Sequence, residues 1–373
     1  MSADSGENIT FPLGQGLAVL QEKSGKIYVL NPLARWIWES SASGIDQEEL
    51  KAILWKEIRH EGQTVAELFS SWAKAGLTPS LPEKTETDRA QHRHIYWLGD
   101  GRIEVNSDDQ ELLQRFHTCA CHLEDHLSGP VAGTLTLCRD GNGYSLYKNK
   151  KKLDFFTSAN NLIVQAIWEM IEIGCRIPGR LMTIHGGAVA KEGVCCILAG
   201  PGGSGKTTLT AALVASGCTL VADDVIPVGS RNGCLESVPM SMCIKEGSWA
   251  VLQDLYPEAD GYPVFNRFGK AVRFYPPPRA AVPGPTDRYR ANAVLFPGYS
   301  PDSRPQIVPM PPYQVLAELI QANSVVDSWT PERLDGVSAW ISGLNGYRLI
   351  YPDLVSGMNL VEQVLRDYGQ QVR

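Results

Sequence analysis

The chain of 373 residues predicts an α/β fold built around a phosphate-binding loop, with a smaller hairpin-and-helices unit ahead of it. Three observations lead there. GPGGSGKT, Gly200 to Thr207, fills every position of G-x-x-x-x-G-K-[ST] between an apolar strand pattern and a helix pattern. The strand pattern CTLVA then delivers the adjacent carboxylates Asp223 and Asp224 only one short helix later. Phe11 to Leu77 carries its own alternation and caps before a polar, proline-containing stretch.

In order along the chain, LAVLQEKSGKIYVLNP alternates apolar and polar residues around a turn at Glu22–Lys26, which predicts a β-hairpin. Asn31 and Pro32 supply a cap and first turn for LARWIWES, and the patterns DQEELKAILWKEI and TVAELFSSWAKAG predict two more helices. Trp36 and Trp38 are expected in the core or a groove of this unit. The predicted organisation is a small domain over residues 1–77, a linker over 78–94 and a larger domain over 95–373. In the larger domain, HIYWLGDGRIEVNS and the pair GTLTLCRD and GYSLYKN read as hairpins. NNLIVQAIWEMIEIGCRI reads as a long amphipathic helix, and LMTIHGGAVAKEGVCCILAG as two strands joined by a short turn. PPYQVLAELIQAN and NLVEQVLRDY predict two late helices.

Composition narrows the function classes. A formal net charge of -7 gives no global basic field for nucleic acid or an anionic membrane. The polar, acidic start MSADSGENIT is no signal peptide, and no apolar run reaches the ~18 residues of a membrane span. Nine cysteines are scattered without a disulfide framework. These features together predict a cytoplasmic protein.

In the loop, Gly200, Gly202, Gly203 and Gly205, with Ser204, let successive amides point at phosphate oxygens, helped by the helix N-terminus. Lys206 would reach the β- and γ-phosphates, Thr207 would bind Mg²⁺, and Thr208 follows at the same helix start. The alternative is a glycine-rich turn with no ligand. Two adjacent carboxylates differ in direction and can take two jobs: Asp223 is assigned the proton of an attacking hydroxyl and Asp224 the Mg²⁺, with the exchanged assignment nearly as good. A pair that merely ends a strand is the bland reading. No LSGGQ-like signature and no NKxD is present, which weakens transporter and guanine-switch readings. His185, in TIHGGAVA, lies one strand before the loop and is expected at the same end; a packed histidine is the alternative.

HGGAVA, then GPGGSGKTT, then LVADDV resemble the C-terminal domain of HPr kinase/phosphorylase, related in fold to phosphoenolpyruvate carboxykinase. The resemblance spans roughly residues 180–228. It implies an ATP- and Mg²⁺-dependent kinase centre of His185, Lys206 with Thr207, and Asp223 with Asp224, in a domain whose relatives commonly form homo-oligomers. MCIKEGSWAVL and FNRFGKAVRFYPP resemble HPr-kinase-like proteins of peptide biosynthesis, such as kinases of lasso peptide precursors. That would make Lys245, Arg267, Lys270 and Arg273 cationic contacts of the transferring phosphoryl group; solvated side chains are the alternative. The segment tied to the family's phosphorylase reaction is not found, so a one-way kinase is expected.

KIYVLNPLARWIWES and the helices after it resemble the PqqD-like precursor-recognition fold, a small winged helix-turn-helix. The resemblance implies capture of a leader peptide as an added strand. DQEELKAILWKEI carries more acid than base, which disfavours a nucleic-acid partner. The combined expectation is a serine kinase acting on a ribosomally made precursor peptide. Its alternatives are a kinase of a carrier protein or small molecule, and a nucleotide-switched peptide-binding module. HTCACHLEDH, read as one helical segment, pairs His117 with Cys121 and His122 with His126 on different faces, which argues against a metal site. Cys195 and Cys196 are expected in the core.

Overall fold

In a computed structural model of the chain, two separately packed units meet in sequence between Asp88 and Arg89. The structure describes residues 8–13, 16–21, 24–42, 50, 63–75, 77, 91–99, 101–126, 129–174, 180–230, 232–267, 269–284, 287–326 and 329–372.

In the first unit, β1 (Asn8–Leu13), β2 (Gly16–Gln21) and β3 (Lys26–Leu30) form an antiparallel sheet in that order. The hairpin register pairs Leu17 with Leu30 and Val19 with Tyr28. Period-two alternation therefore turns Leu17, Val19 and Leu30 to one face. There they pack against Ile37 and Trp38 of α1 (Pro32–Ala42) and Trp72 of α2 (Gln63–Ala75). Asn31 caps α1, its side-chain oxygen accepting from the Ala34 N–H at 2.8 Å. Trp38 meets Trp72 edge-on at 5.1 Å and Trp36 packs beside them. Of the helix expected from DQEELKAILWKEI only Leu50, helical and buried, lies within the described residues.

The second unit opens with β4 (His92–Leu98) and β5 (Gly101–Ser107), followed by α3 (Gln110–Thr118), β6 (Gly133–Asp140), β7 (Gly143–Lys148) and β8 (Lys151–Phe156). These strands form a sheet in sequence order, antiparallel except for β5 with β6. Residues 92–94, expected at the end of a linker, therefore belong to β4; residues 78–90 lie outside the described residues. The sheet is covered by α4 (Ala159–Gly174), which buries Leu162, Ile163, Ala166 and Met170.

The strand pattern around His185 resolves into three strands rather than two: β9 (Arg180–Ile184), β10 (Gly186–Lys191) and β11 (Val194–Ala199). His185 is the break between β9, which pairs with β13 (Ile226–Gly229), and β10, which pairs with β11. The fully buried β11 leads through the loop into α5 (Lys206–Ala215), and β12 (Thr219–Asp223) follows. β10 lies between β11 and β12 and is antiparallel to both, pairing Gly186 with Ala199 and Gly187 with Asp223. The start of β10 and the carboxyl ends of β11 and β12 thus share one edge of the sheet.

β14 (Cys234–Glu236), β18 (Arg288–Tyr299), β19 (Gln306–Met310) and β20 (Asn345–Tyr351) complete this sheet, with β18 parallel to both β11 and β20. β15 (Met242–Lys245), β16 (Phe265–Arg267) and β17 (Lys270–Tyr275) form a separate antiparallel sheet, order β15-β17-β16, with the single turn α6 (Trp249–Leu252) after β15. The last helices are α7 (Pro312–Gln321), α8 (Pro331–Ser342) and α9 (Leu354–Val372). Helix α8 is not expected from the sequence pattern, because Arg333 and Gly336 occupy positions on the same inward face as Val337, Trp340 and Ile341 and shorten its apolar stripe. Its cap is a local signal all the same: the Thr330 hydroxyl accepts from the Arg333 N–H at 3.2 Å, with Pro331 in the first turn.

Candidate functional site

The site grows from the sheet edge where β10, β11 and β12 end. Gly203 and Gly205 hold φ of +91° and +89°, left-handed values that glycine adopts without a side-chain clash. The two glycines after His185 serve a different end. A Cβ on Gly186 would lie 2.4 Å from the Leu198 carbonyl oxygen, and one on Gly187 would lie 2.2 Å from Thr210 Oγ1. Only glycine lets β10 lie this close to β11 and to α5.

A cavity of about 320 Å³ opens at this edge, within the ~300–1,000 Å³ range of small-molecule sites. The loop contributes Gly202, Gly203, Gly205, Lys206, Thr207 and Thr208, and β12 with its following residue contributes Asp223 and Asp224. His185, Lys245, Arg267 and Lys270 complete its charged lining. Gly200 and Ser204 are not in the wall; the Gly200 carbonyl, with that of Pro201, instead accepts from Lys206 Nζ at 2.7 and 3.0 Å. Thr208 Oγ1 meets Ser248 Oγ at 2.7 Å, a partner to which no sequence signal points.

One expected cation is elsewhere. Strand alternation sends Lys270 and Val272 of β17 toward the cavity and Arg273 to the opposite face. There Arg273 pairs with Asp260 at 2.9 Å and stacks over Trp249 at 4.2 Å. Arg273 is thus removed from the expected phosphate contacts.

The two aspartates differ sharply in environment. Asp224 sits at φ +73°, a strained conformation of the kind that gathers at functional sites. Its Oδ2 accepts from Arg267 Nη2 at 2.8 Å and its Oδ1 lies 3.2 Å from His185 Nδ1. Burial pushes its carboxyl up, but the hydrogen bond from His185 and the charge and hydrogen bond of Arg267 outweigh burial and hold it well below the usual range. His185 Nδ1 also lies 3.0 Å from the Asp224 carbonyl oxygen. Both neighbours only accept, so Nδ1 carries a proton. The hydrogen bond to Asp224 raises the histidine's affinity for a second one.

Asp223 is only 3% exposed, and its Oδ1 has no hydrogen-bond partner among the described residues. Burial first, then the charge of Asp224, pushes its carboxyl up to about 7. One carboxylate is thus held ionised and pinned, while its neighbour is poised to exchange a proton near neutrality. Burial lowers the Lys206 ammonium. The Thr207 hydroxyl and the aspartate oxygens are hard donors of the kind Mg²⁺ takes. The unpartnered Asp223 Oδ1 shows that carboxylate capacity remains after the protein's own bonds are counted.

Away from this edge, HTCACHLEDH is not one helix. α3 ends at Thr118 and a separate turn follows at Cys121–Leu123, with His122 half-buried and its Nε2 2.8 Å from the Pro239 carbonyl oxygen. The helical spacing that would pair His117 with Cys121 and His122 with His126 is therefore absent there. Instead His94 stacks on His117 at 4.4 Å and pairs with Glu124 at 2.6 Å, bringing three donor atoms within 4.8 Å of one another. Cys195 and Cys196 are buried in β11. Among the described residues no helix is long and apolar enough to cross a membrane.

No protein-family model and no curated protein matches the chain. Among solved structures it is similar to the Hpr(Ser) kinase/phosphatase from Coxiella burnetii, at 14% sequence identity and a TM-score of 0.26, over 51% of this chain and 97% of that one. At that level of similarity the functional reading rests on the cavity itself.

Proposed function

We propose that the protein is an ATP-dependent kinase that phosphorylates a serine hydroxyl of a ribosomally made precursor peptide, with its first unit, PqqD-like in character, capturing that peptide's leader. The observation that carries the kinase reading is the meeting, in one cavity, of the loop lysine and two aspartates with opposite proton affinities. The loop amides and Lys206 hold the phosphates of ATP, and Lys245 and Lys270 face the charge that develops on the transferring group. Asp223 accepts the serine proton as the serine oxygen bonds to the γ-phosphorus and the bond to the β–γ bridging oxygen breaks, releasing ADP. Thr207 and Asp224 are the residues to hold Mg²⁺, Asp224 through the carboxylate lone pairs that its contacts with Arg267 and His185 leave over, and the ion would neutralise phosphate charge.

Peptide capture is supported by the edge strand β3. Ile27 and Val29 are each 67% exposed there, and among the described residues β3 pairs with β2 alone, which leaves its other side to an added strand. Tethering raises the local substrate concentration to ~mM, so the catalytic cavity need not bind tightly.

The test mixes the protein, Mg·ATP and the precursor peptide encoded beside its gene, and weighs the peptide by mass spectrometry. A gain of one phosphoryl group that is lost in Asp223→Ala is expected. Free phosphate with an unmodified peptide would replace the kinase by an ATP-driven switch. Transfer that survives deletion of residues 1–77 undiminished would remove the capture role.

A further inference from the structure

A second cavity, of about 420 Å³, lies on the other side of the aspartate pair. Asp223, Asp224, Cys243 and Arg267 line both cavities and form the wall between them. The rest of its lining has a different character. Phe156, Val164, Ile167, Trp168, Met240 and Phe274 supply an apolar surround, and no lysine lines it among the described residues. Helix geometry explains the floor: Asn161, Val164, Gln165, Trp168 and Ile171 recur at three- and four-residue spacing along one stripe of α4. The opposite stripe is buried in the core. Trp168 remains 39% exposed, and the Arg267 guanidinium lies 5.5 Å from its ring centre. The aromatic wall thus leads through Arg267 to Asp224.

Charge separates the two sides. Lys206, Lys245 and Lys270 all face the first cavity, which suits a polyanion. Among the described residues Arg267 is the one cationic side chain of the second, and its charge is shared with Asp224. An acidic ligand would meet there a cation already committed to a carboxylate. A basic one would meet Asp224 already paired and a largely apolar surround. Asp223 Oδ1, buried and unpartnered among the described residues, belongs to the wall that both ligands would share.

We infer that this second cavity is the acceptor site, and that it takes a serine flanked by a bulky apolar or aromatic side chain, the hydroxyl meeting Asp223 and the apolar neighbour packing on Trp168 between α4 and β17. This rests on the kinase reading above and specifies its substrate: sequence next to the modified serine is read by hydrophobic burial. Leader capture and acceptor selection are then separate recognition events.

The experiment uses the full-length protein with Mg·ATP and four synthetic variants of the precursor peptide, carrying Phe, Gly, Asp or Lys beside the modified serine. kcat/KM for transfer is measured for each, and binding of the same four peptides in the presence of ADP is measured by calorimetry. Burial of one large apolar side chain is worth about tenfold or more in affinity. The Phe peptide should exceed the Gly peptide by about that factor, with Asp and Lys lower still. Trp168→Ala should erase most of the preference and raise the peptide KM while leaving the KM for ATP in place. Equal transfer to and equal binding of all four peptides would overturn the acceptor assignment and leave the kinase intact. Transfer to none of them, with selective binding of the Phe peptide retained, would overturn the kinase and keep the apolar site. A Trp168→Ala effect falling equally on ATP and peptide would make the residue structural and defeat the inference.

Discussion

Asp223→Asn separates stability from activity in a way that tests the electrostatics of the site directly. The Asp223 carboxyl is displaced from 3.8 to about 7 by burial and by the neighbouring charge of Asp224. A displacement of that size corresponds to about 4 kcal/mol. Between those two pH values the native state holds a proton that the unfolded chain has released, so stability falls as pH rises. Below the lower value the native state suffers no penalty; above the upper one it suffers all of it. Asparagine keeps an acceptor for the Cys243 backbone N–H that Asp223 engages and removes the ionisable group. At pH 8 the variant should therefore be more stable than the parent by about 4 kcal/mol. That gain should shrink by about half or more on acidification to pH 5. In a unit of this size about 2 °C accompanies each kcal/mol, so thermal melts followed by circular dichroism at pH 8 should show a rise of about 8 °C. Phosphoryl transfer should fall by about 10²–10⁴, the range for loss of a general base. A variant no more stable than the parent at pH 8, or a gain unchanged between pH 8 and pH 5, would refute the raised proton affinity and with it the base role.

Two further expectations concern positions outside the chemistry. His122 is half-buried with its Nδ1 shielded from water, and that desolvation of the ring pushes its imidazole down to about 4. Protons then bind the unfolded chain first as pH falls below about 6.5, and stability is lost from there down to about 4, by up to about 3 kcal/mol. In melting curves across that range His122→Gln should remove this slope; an unchanged slope would place the titration elsewhere. At Gly187→Ala the new Cβ meets Thr210 Oγ1 at 2.2 Å. Overpacking of this kind costs about 1–3 kcal/mol, so the melting temperature should drop by about 2–6 °C, and a variant that melts like the parent would show that β10 and α5 can separate without loss.

The sequence by itself determined the elements whose signals are local. The loop at Gly200–Thr207 is readable because glycines that allow close backbone approach, then a lysine and a hydroxyl residue entering a helix, form a fixed local spacing between a strand and a helix pattern. Asn31 before Pro32 announces α1 because a cap acts within one turn. The two aspartates are visible as a pair, and two jobs for them can be foreseen. Tertiary structure decided what depends on partners distant in the chain. The pairing that holds Asp224 ionised comes from His185 and Arg267, which lie 39 and 43 residues from Asp224, and no local pattern encodes that convergence. The placement of β10 between β11 and β12 is equally hidden, because strand order follows from hydrogen-bond pairing across the sheet rather than from periodicity along it. Arg273 and Lys270 look alike in sequence, and only the pairing of β17 with β15 and β16 shows which face each takes. The apolar cavity beside the aspartates is the least legible of all. Trp168 and Val164 read as one more stripe of an amphipathic helix, since hydrophobic periodicity records that a face is covered and not whether protein or substrate covers it.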